Sequence, residues 1–231
     1  GFSLLARRLR IIREDLRVRG PRYVAEIDRW FADKAADRSG IPAAQMFDLP
    51  HRLVPRQHSD AREYPDPVDP VPPMFTPFKL RELLLANRVV MSAMCQYSAA
   101  DGTPNDWHFV HIGSRAIGGA GLIVTEMTDV SETGRITPGC AGIYTDAQEA
   151  AWARIVDFVH KNSGSKIAMQ IGHSGRKGST RLMWDGMDQP LAEGGWDVIA
   201  PSPLPYFEHS PVPREMTRAD MDRIKAEFVA A

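Results

Sequence analysis

The sequence predicts an α/β fold, an incomplete (β/α)8 TIM barrel made of an N-terminal hairpin and the first three β/α units, preceded by helices and a proline-rich linker. Three observations carry that expectation. The apolar runs at 88–94 (RVVMSAM), 121–127 (GLIVTEM) and 166–172 (KIAMQIG) are nearly continuous, as in parallel strands covered on both faces. Helical patterns separate them, so the order is β-α-β-α-β. The glycines then favour a barrel over a doubly wound sheet: GGAG at 118–121 closes a helix and precedes a strand, whereas a dinucleotide-binding unit has its glycines after the first strand.

The elements follow in order. SLLARRLRIIREDLRVRG sets Leu5, Leu9, Ile12 and Leu16 at helical spacing and stops at Gly20 and Pro21. YVAEIDRWFADKA sets Val24, Ile27 and Trp30 or Phe31 on one side, so residues 1–36 read as the helical end of a preceding domain. From 37 to 73 proline dominates, densest in EYPDPVDPVPP, which reads as a semi-rigid interdomain linker. The barrel segment is 74–231. It opens with KLRELLLANRVV, two short strands around a turn. NDWHFVHIGSRAIGG offers Asn105 or Asp106 as N-cap, and TDAQEAAWARIVDFVHKNSG opens on a Thr145/Gln148 capping box and carries Trp152, Ile155, Val156 and Val159. The last helix has Thr217 as cap and Asp220 as its partner, with Met221, Ile224 and Phe228 expected to face inward.

Bulk properties exclude several classes of function. With a formal net charge of −1 and arginines interrupted by Glu14 and Asp15, nothing marks a nucleic-acid or membrane-surface partner. No apolar run approaches the ~20 residues of a bilayer span and no signal peptide is visible, so a cytoplasmic location is the default expectation. Cys95 and Cys140 have dissimilar contexts and no ligand-like spacing, so neither a disulfide nor a metal site is expected, and Cys140 reads as a small buried residue.

In a barrel, the C-terminal ends of the strands face the active site. They would bring together Met94, Cys95, Gln96 and Tyr97, then Thr125, Glu126 and Met127, then Gln170, His173, Arg176 and Lys177. A thiol, a phenol, an amide and cations at one mouth suit a redox-cofactor site, whereas no GxSxG elbow or carboxylate pair supports a hydrolase. Each residue has a second reading. Gln170 could be a satisfied core amide, Tyr97 an ordinary half-buried tyrosine, Cys95 an inert small hydrophobe, and His108, His111 and His173 the ligands of a metal-dependent barrel.

The combination FTPFKLRELLLANRVVMSAMCQYSAADG, HFVHIGSRAIGGAGLIVTEMTDVSETGRITPG and KIAMQIGHSGRKG resembles, in order and spacing, the first part of the Old Yellow Enzyme family of FMN-dependent NADH:flavin oxidoreductases. The similarity covers 74–231 and fits best the branch with cysteine and tyrosine after the first strand. The helices and linker before it resemble the junction of bifunctional enzymes of the salicylyl-CoA 5-hydroxylase and aminobenzoyl-CoA monooxygenase/reductase type. There an FAD-dependent monooxygenase precedes the reductase.

The resemblance implies FMN across the barrel mouth, reduced by NADH or NADPH, with hydride passing to an electron-poor alkene of a small-molecule substrate. Ala93, Met94 and Cys95 match contacts along the flavin ring, Cys95 the thiol that tunes it, Gln170 the amide at its pyrimidine end, and Tyr97 a phenol reaching toward substrate. Arg176, with His173 and Lys177, matches a loop motif whose cations either meet an anionic substrate or an adjacent subunit, or serve the loop alone. Ala93 stands where the family often has proline and Met127 where a smaller residue lines the flavin. FAD is expected only in a domain ahead of Gly1, and a homo-oligomer in the full-length protein. A barrel takes about 250 residues, so the chain reads as a fragment, expected to bind little FMN alone. A truncated, non-catalytic association scaffold is the alternative.

Overall fold

The computed structural model describes residues 21–40 and 73–231, distributed over two units, 1–89 and 90–231. The helical pattern ahead of Pro21 and the linker from 41 to 72 lie outside the described residues.

In the first unit, α1 spans Pro21–Ser39. Among its described side chains Ala32 and Ala35 are buried, while Ile27 and Trp30 are exposed. Alanine allows close approach, and β1 (Phe78–Leu80) packs alongside. β1 pairs antiparallel with β2 (Leu83–Leu85), as the sequence suggests. The turn places Arg81 in the left-handed region, at φ 52°.

The second unit is built on three parallel strands in the order β3 (Val90–Met91), β4 (Leu122–Asp129) and β5 (Lys166–Gly172). β5 matches its apolar run, but β3 keeps only two residues of the run 88–94. From Ser92 the chain leaves the ladder and carries residues 93–97 as a loop. Val90 and Ile171 stand exposed on the two outer strands, while the central strand is buried or half-buried along its whole length.

α2 (Asp106–Ile117) and α3 (Asp146–Asn162) pack on the sheet around Ile112, Ala116, Ile123, Trp152, Ile155 and Val159. Gly113 lets them approach, since a Cβ there would lie 2.9 Å from the Phe158 ring. Asn105 caps α2 by accepting from Trp107 N–H at 3.0 Å, and its own N–H donates to His108 Nδ1 at 3.1 Å. Histidine thus stands where a capping box ordinarily has glutamate. At α3 the expected box is half formed. Thr145 Oγ1 accepts from Gln148 N–H at 3.3 Å, but Gln148 Oε1 accepts from Tyr144 N–H at 2.9 Å, because the buried Gln148 side chain reaches one residue further back.

A long connection from β5 carries α4 (Met183–Gly186) and the paired strands β6 (Ile199–Ala200) and β7 (Arg214–Glu215) before α5 (Arg218–Ala230). The Thr217/Asp220 box is present, with Thr217 N–H donating to Asp220 Oδ2 at 2.8 Å and Asp220 N–H to Thr217 Oγ1 at 3.2 Å. The inward face is not: α5 buries none of its residues, and Met221 and Phe228 are exposed. Caps are local and form regardless, whereas an apolar stripe is buried only where another element meets it.

Candidate functional site

The site is organised by a β-bulge in the central strand. Val124 pairs with Ala168 and Met127 with Gln170, so Thr125 and Glu126 together oppose Met169 alone. A bulge re-aims side chains, and both Thr125 and Glu126 are buried here. Thr125 Oγ1 accepts from Gln170 N–H at 3.2 Å, replacing the ladder bond that the bulge removes.

Glu126 is the hub. One carboxylate oxygen lies 2.9 Å from His108 Nε2, with both side chains nearly inaccessible, and the other accepts from Gln96 N–H at 3.0 Å. His108 Nδ1 accepts from Asn105 N–H, while its Nε2 and the facing Glu126 oxygen are in close contact without hydrogen-bond geometry. Gln96 in turn holds Met94 O with its amide nitrogen at 2.8 Å and accepts from Trp107 Nε1 at 3.0 Å. The start of α2, the bulge and the loop 94–97 are thereby one hydrogen-bonded body. His108 belongs to that body, and its commitments to Asn105 and Glu126 run against the metal reading.

On this loop Tyr97 adopts the left-handed region, at φ 51°, which is uncommon for a bulky side chain. Its carbonyl lies so close to Gly139 that a Cβ there would be 2.3 Å away. Only glycine fits. Burial pushes the Cys95 thiol above its usual value and the Glu126 charge pushes it further, while hydrogen bonds from the Met127 backbone and the Tyr97 side chain pull it back. Burial, then the neighbouring Cys95 and Cys140 thiols, also push the Tyr97 phenol up. Both groups keep their protons near neutrality, so Cys95 is a soft dipole rather than a thiolate and Tyr97 is a donor. Cys140 is buried, as expected, and burial pushes it to about 11 while Thr137 N–H donates to its sulfur at 3.3 Å.

Gln170 lies exposed on β5, and its side-chain amide has no partner among the described residues. That differs from a satisfied core amide and leaves donors and an acceptor directed away from the protein. Met94 is exposed too, with Ala93 and Cys95 half-buried beside it. The bulk of Met127 is accommodated by Gly172 on the next strand, where a Cβ would lie 2.7 Å from Met127 Cγ. Arg176 is engaged by the following loop, its guanidinium donating to Leu204 O at 2.9 Å and Ser202 Oγ at 3.0 Å. Its geometry matches the loop-serving reading. Lys177 pairs with Asp188 at 3.5 Å and lies over the Tyr206 ring.

Two groups escaped the sequence reading. Asp129, at the end of β4, is fully buried with neither carboxylate oxygen hydrogen-bonded, and the only signal for it is an acid closing an apolar run. Trp184 meets the Tyr97 ring edge-on, with centroids 6.5 Å apart, and nothing in the intervening sequence marks that contact. A separate shallow cleft of about 450 Å³ lies against Arg135, Asp101, Glu132 and Trp196. Its guanidinium already faces Asp101 and Glu132, at 3.8 and 3.6 Å, and lies over the indole.

Parallel strands whose C-terminal ends gather an unpartnered amide, a protonated thiol and a phenol define an α/β protein with a polar strand-end site. The comparisons give the family. Residues 73–231 match the NADH:flavin oxidoreductase / NADH oxidase family, and the chain belongs to it. It is 38% identical over 163 residues to a NADH:flavin oxidoreductase of Gibberella zeae, covering 68% of this chain and 39% of that protein. It is 40% identical over 157 residues to a NADPH dehydrogenase of Geobacillus thermodenitrificans, covering 67% and 42%. Among solved structures, morphinone reductase superposes with a TM-score of 0.57 at 32% identity, over 68% of this chain and 43% of that one. The chain thus spans about two fifths of the length of these relatives.

Proposed function

We propose that this chain supplies the first strands of an incomplete (β/α)8 barrel and one wall of an FMN site, in an enzyme that takes hydride from NADH or NADPH and delivers it to an electron-poor alkene. The observation that carries this reading is Gln170: an exposed amide with no partner, on the strand paired to the bulge that fixes Glu126 and, through it, the Cys95 loop. When bound, FMN supplies the hydride relay. The residues fit it. Ala93, Met94 and Cys95 offer half-buried and exposed atoms along one side, Gln170 offers hydrogen bonds at the other, and Met127, drawn over Gly172, leaves room between. Tyr97, holding its proton, donates toward a substrate carbonyl and helps to polarise a conjugated alkene. The protonated Cys95 thiol presents a weak dipole without adding a charge.

The test is made on the protein purified from its own cells. It should be yellow, with one FMN per chain by visible absorbance, and Cys95→Ala should retain the flavin while shifting its midpoint potential. A colourless protein refutes the proposal, and an unchanged potential removes the role given to Cys95.

The resemblance of the helices and linker to the junction of two-flavin aryl-CoA enzymes supports a finer reading, in which an FAD-dependent monooxygenase domain precedes residue 1 and an aryl-CoA-derived compound is reduced. An intact mass well above 25.7 kDa is the expected result for that polypeptide. A mass near that value counts against the two-domain arrangement.

A further inference from the structure

Residues 179–191 form a loop closed at its neck. Leu191 N–H donates to Ser179 O at 3.1 Å and Arg181 N–H to Gln189 O at 2.9 Å, while Thr180 N–H and Oγ1 both donate to Ile136 O, at 2.9 and 3.1 Å. Its backbone is shaped by left-handed residues, Ser179 at φ 61° and Asp188 at φ 59°, with Gly186 at φ 138°. Such conformations persist where surrounding contacts hold them, often at ligand clamps. At the tip stand Met183, Trp184 and Met187, with 48, 62 and 62% of their surfaces exposed.

The tip is locked to the Tyr97 loop. Leu182 and the Tyr97 carbonyl converge on Gly139, where a Cβ would lie 2.8 Å from the one and 2.3 Å from the other. Trp184 then meets the Tyr97 ring edge-on, at an interplanar angle of 75°. Its indole N–H has no hydrogen-bond partner among the described residues. A large apolar group held in water beside a phenol, with a free donor and two flexible thioethers around it, has the composition of a wall for a flat ring.

We infer that Trp184 is a specificity-determining residue whose indole, held against Tyr97 by the stapled loop, walls the substrate pocket and selects electron-poor alkenes bearing an aromatic ring over aliphatic ones. This rests on the flavin reading above. Tyr97 addresses the carbonyl, which both kinds of substrate have. Trp184 addresses what lies beyond the alkene.

Cinnamaldehyde and crotonaldehyde share the reacting group and differ in phenyl against methyl, so they separate the two roles. Their binding to the FMN-loaded protein from its own cells is measured by calorimetry for wild type, Trp184→Ala and Trp184→Phe. Trp184→Ala should weaken cinnamaldehyde about tenfold and crotonaldehyde less than about twofold, and Trp184→Phe should recover most of the loss. Trp184→Ala that keeps its flavin and binds cinnamaldehyde as wild type does overturns the inference alone, as does an equal loss for both aldehydes. Wild-type protein without FMN overturns the proposed function and this inference together.

Discussion

Asp129 closes β4 with both carboxylate oxygens buried and unpaired by hydrogen bonds. Burial pushes it up to about 8, Arg135 pulling it down only in part and Glu126 pushing it further. In the unfolded chain an aspartate titrates near 3.9. Between these values the native protein keeps a proton that the unfolded chain has released, so stability falls as pH rises through this window, by at most about 1.4 kcal/mol per unit. Below about 4 and above about 8 this contribution is flat. Asp129→Asn mimics the protonated form and should remove the slope. Urea midpoints of the two proteins should therefore diverge in favour of the variant from pH 5 to pH 8, and parallel profiles would place the titration elsewhere. The sequence carried little of this. An aspartate after an apolar strand reads as a loop residue, and its burial depends on the bridge it forms with Gly142, which lies in a different loop.

At the scale of elements, legibility follows locality. Asn105, Thr145 and Thr217 cap their helices as the sequence suggests, because a cap needs only its own first turn. The apolar run of β5 is visible for the same reason. The bulge is not, because two residues opposite one is a property of β4 paired with β5, about forty residues apart in sequence. Cys95, Tyr97 and Gln170 are singled out in the sequence by standing at or near the ends of apolar runs, while the contact between Glu126 and His108 has no such local mark. The α2–α3 layer has an equally definite dependence on one residue. Trp152 is almost inaccessible, donates to Gly142 O at 3.1 Å and meets the His108 ring edge-on. Trp152→Ala should lose about 3–5 kcal/mol of unfolding free energy. Because His108 loses a neighbour, the variant should also bind FMN more weakly. A loss below about 1 kcal/mol would mean that the layer repacks, against the close fit imposed by Gly113 and Phe158.

At the scale of the whole chain, burial is uneven, and its pattern predicts behaviour in solution. The central strand has a covered face, with Ile123 inaccessible, whereas Val90 on β3 and Ile171 on β5 are 49 and 40% exposed. α5 adds Met221, Phe228 and Val229, 45, 37 and 79% exposed, and buries no residue of its own. Outer strands of a parallel sheet also present unpaired backbone groups, which template further pairing. Exposed apolar side chains of this kind favour association. Expressed as these 231 residues, the chain should associate with itself in a concentration-dependent way, a second copy covering these exposed side chains. The double variant Ile171→Lys, Phe228→Lys places charges on β5 and α5 without touching the Cys95 loop or its Glu126 anchor. Sedimentation at rising concentration should therefore show wild type growing in mean mass while the double variant stays smaller, with helix content by circular dichroism unchanged. A wild-type chain that remains monomeric throughout would mean that these side chains are tolerated in water. A double variant that associates as strongly would assign the contact to strand edges, where backbone pairing acts and side-chain charge at these two positions does not.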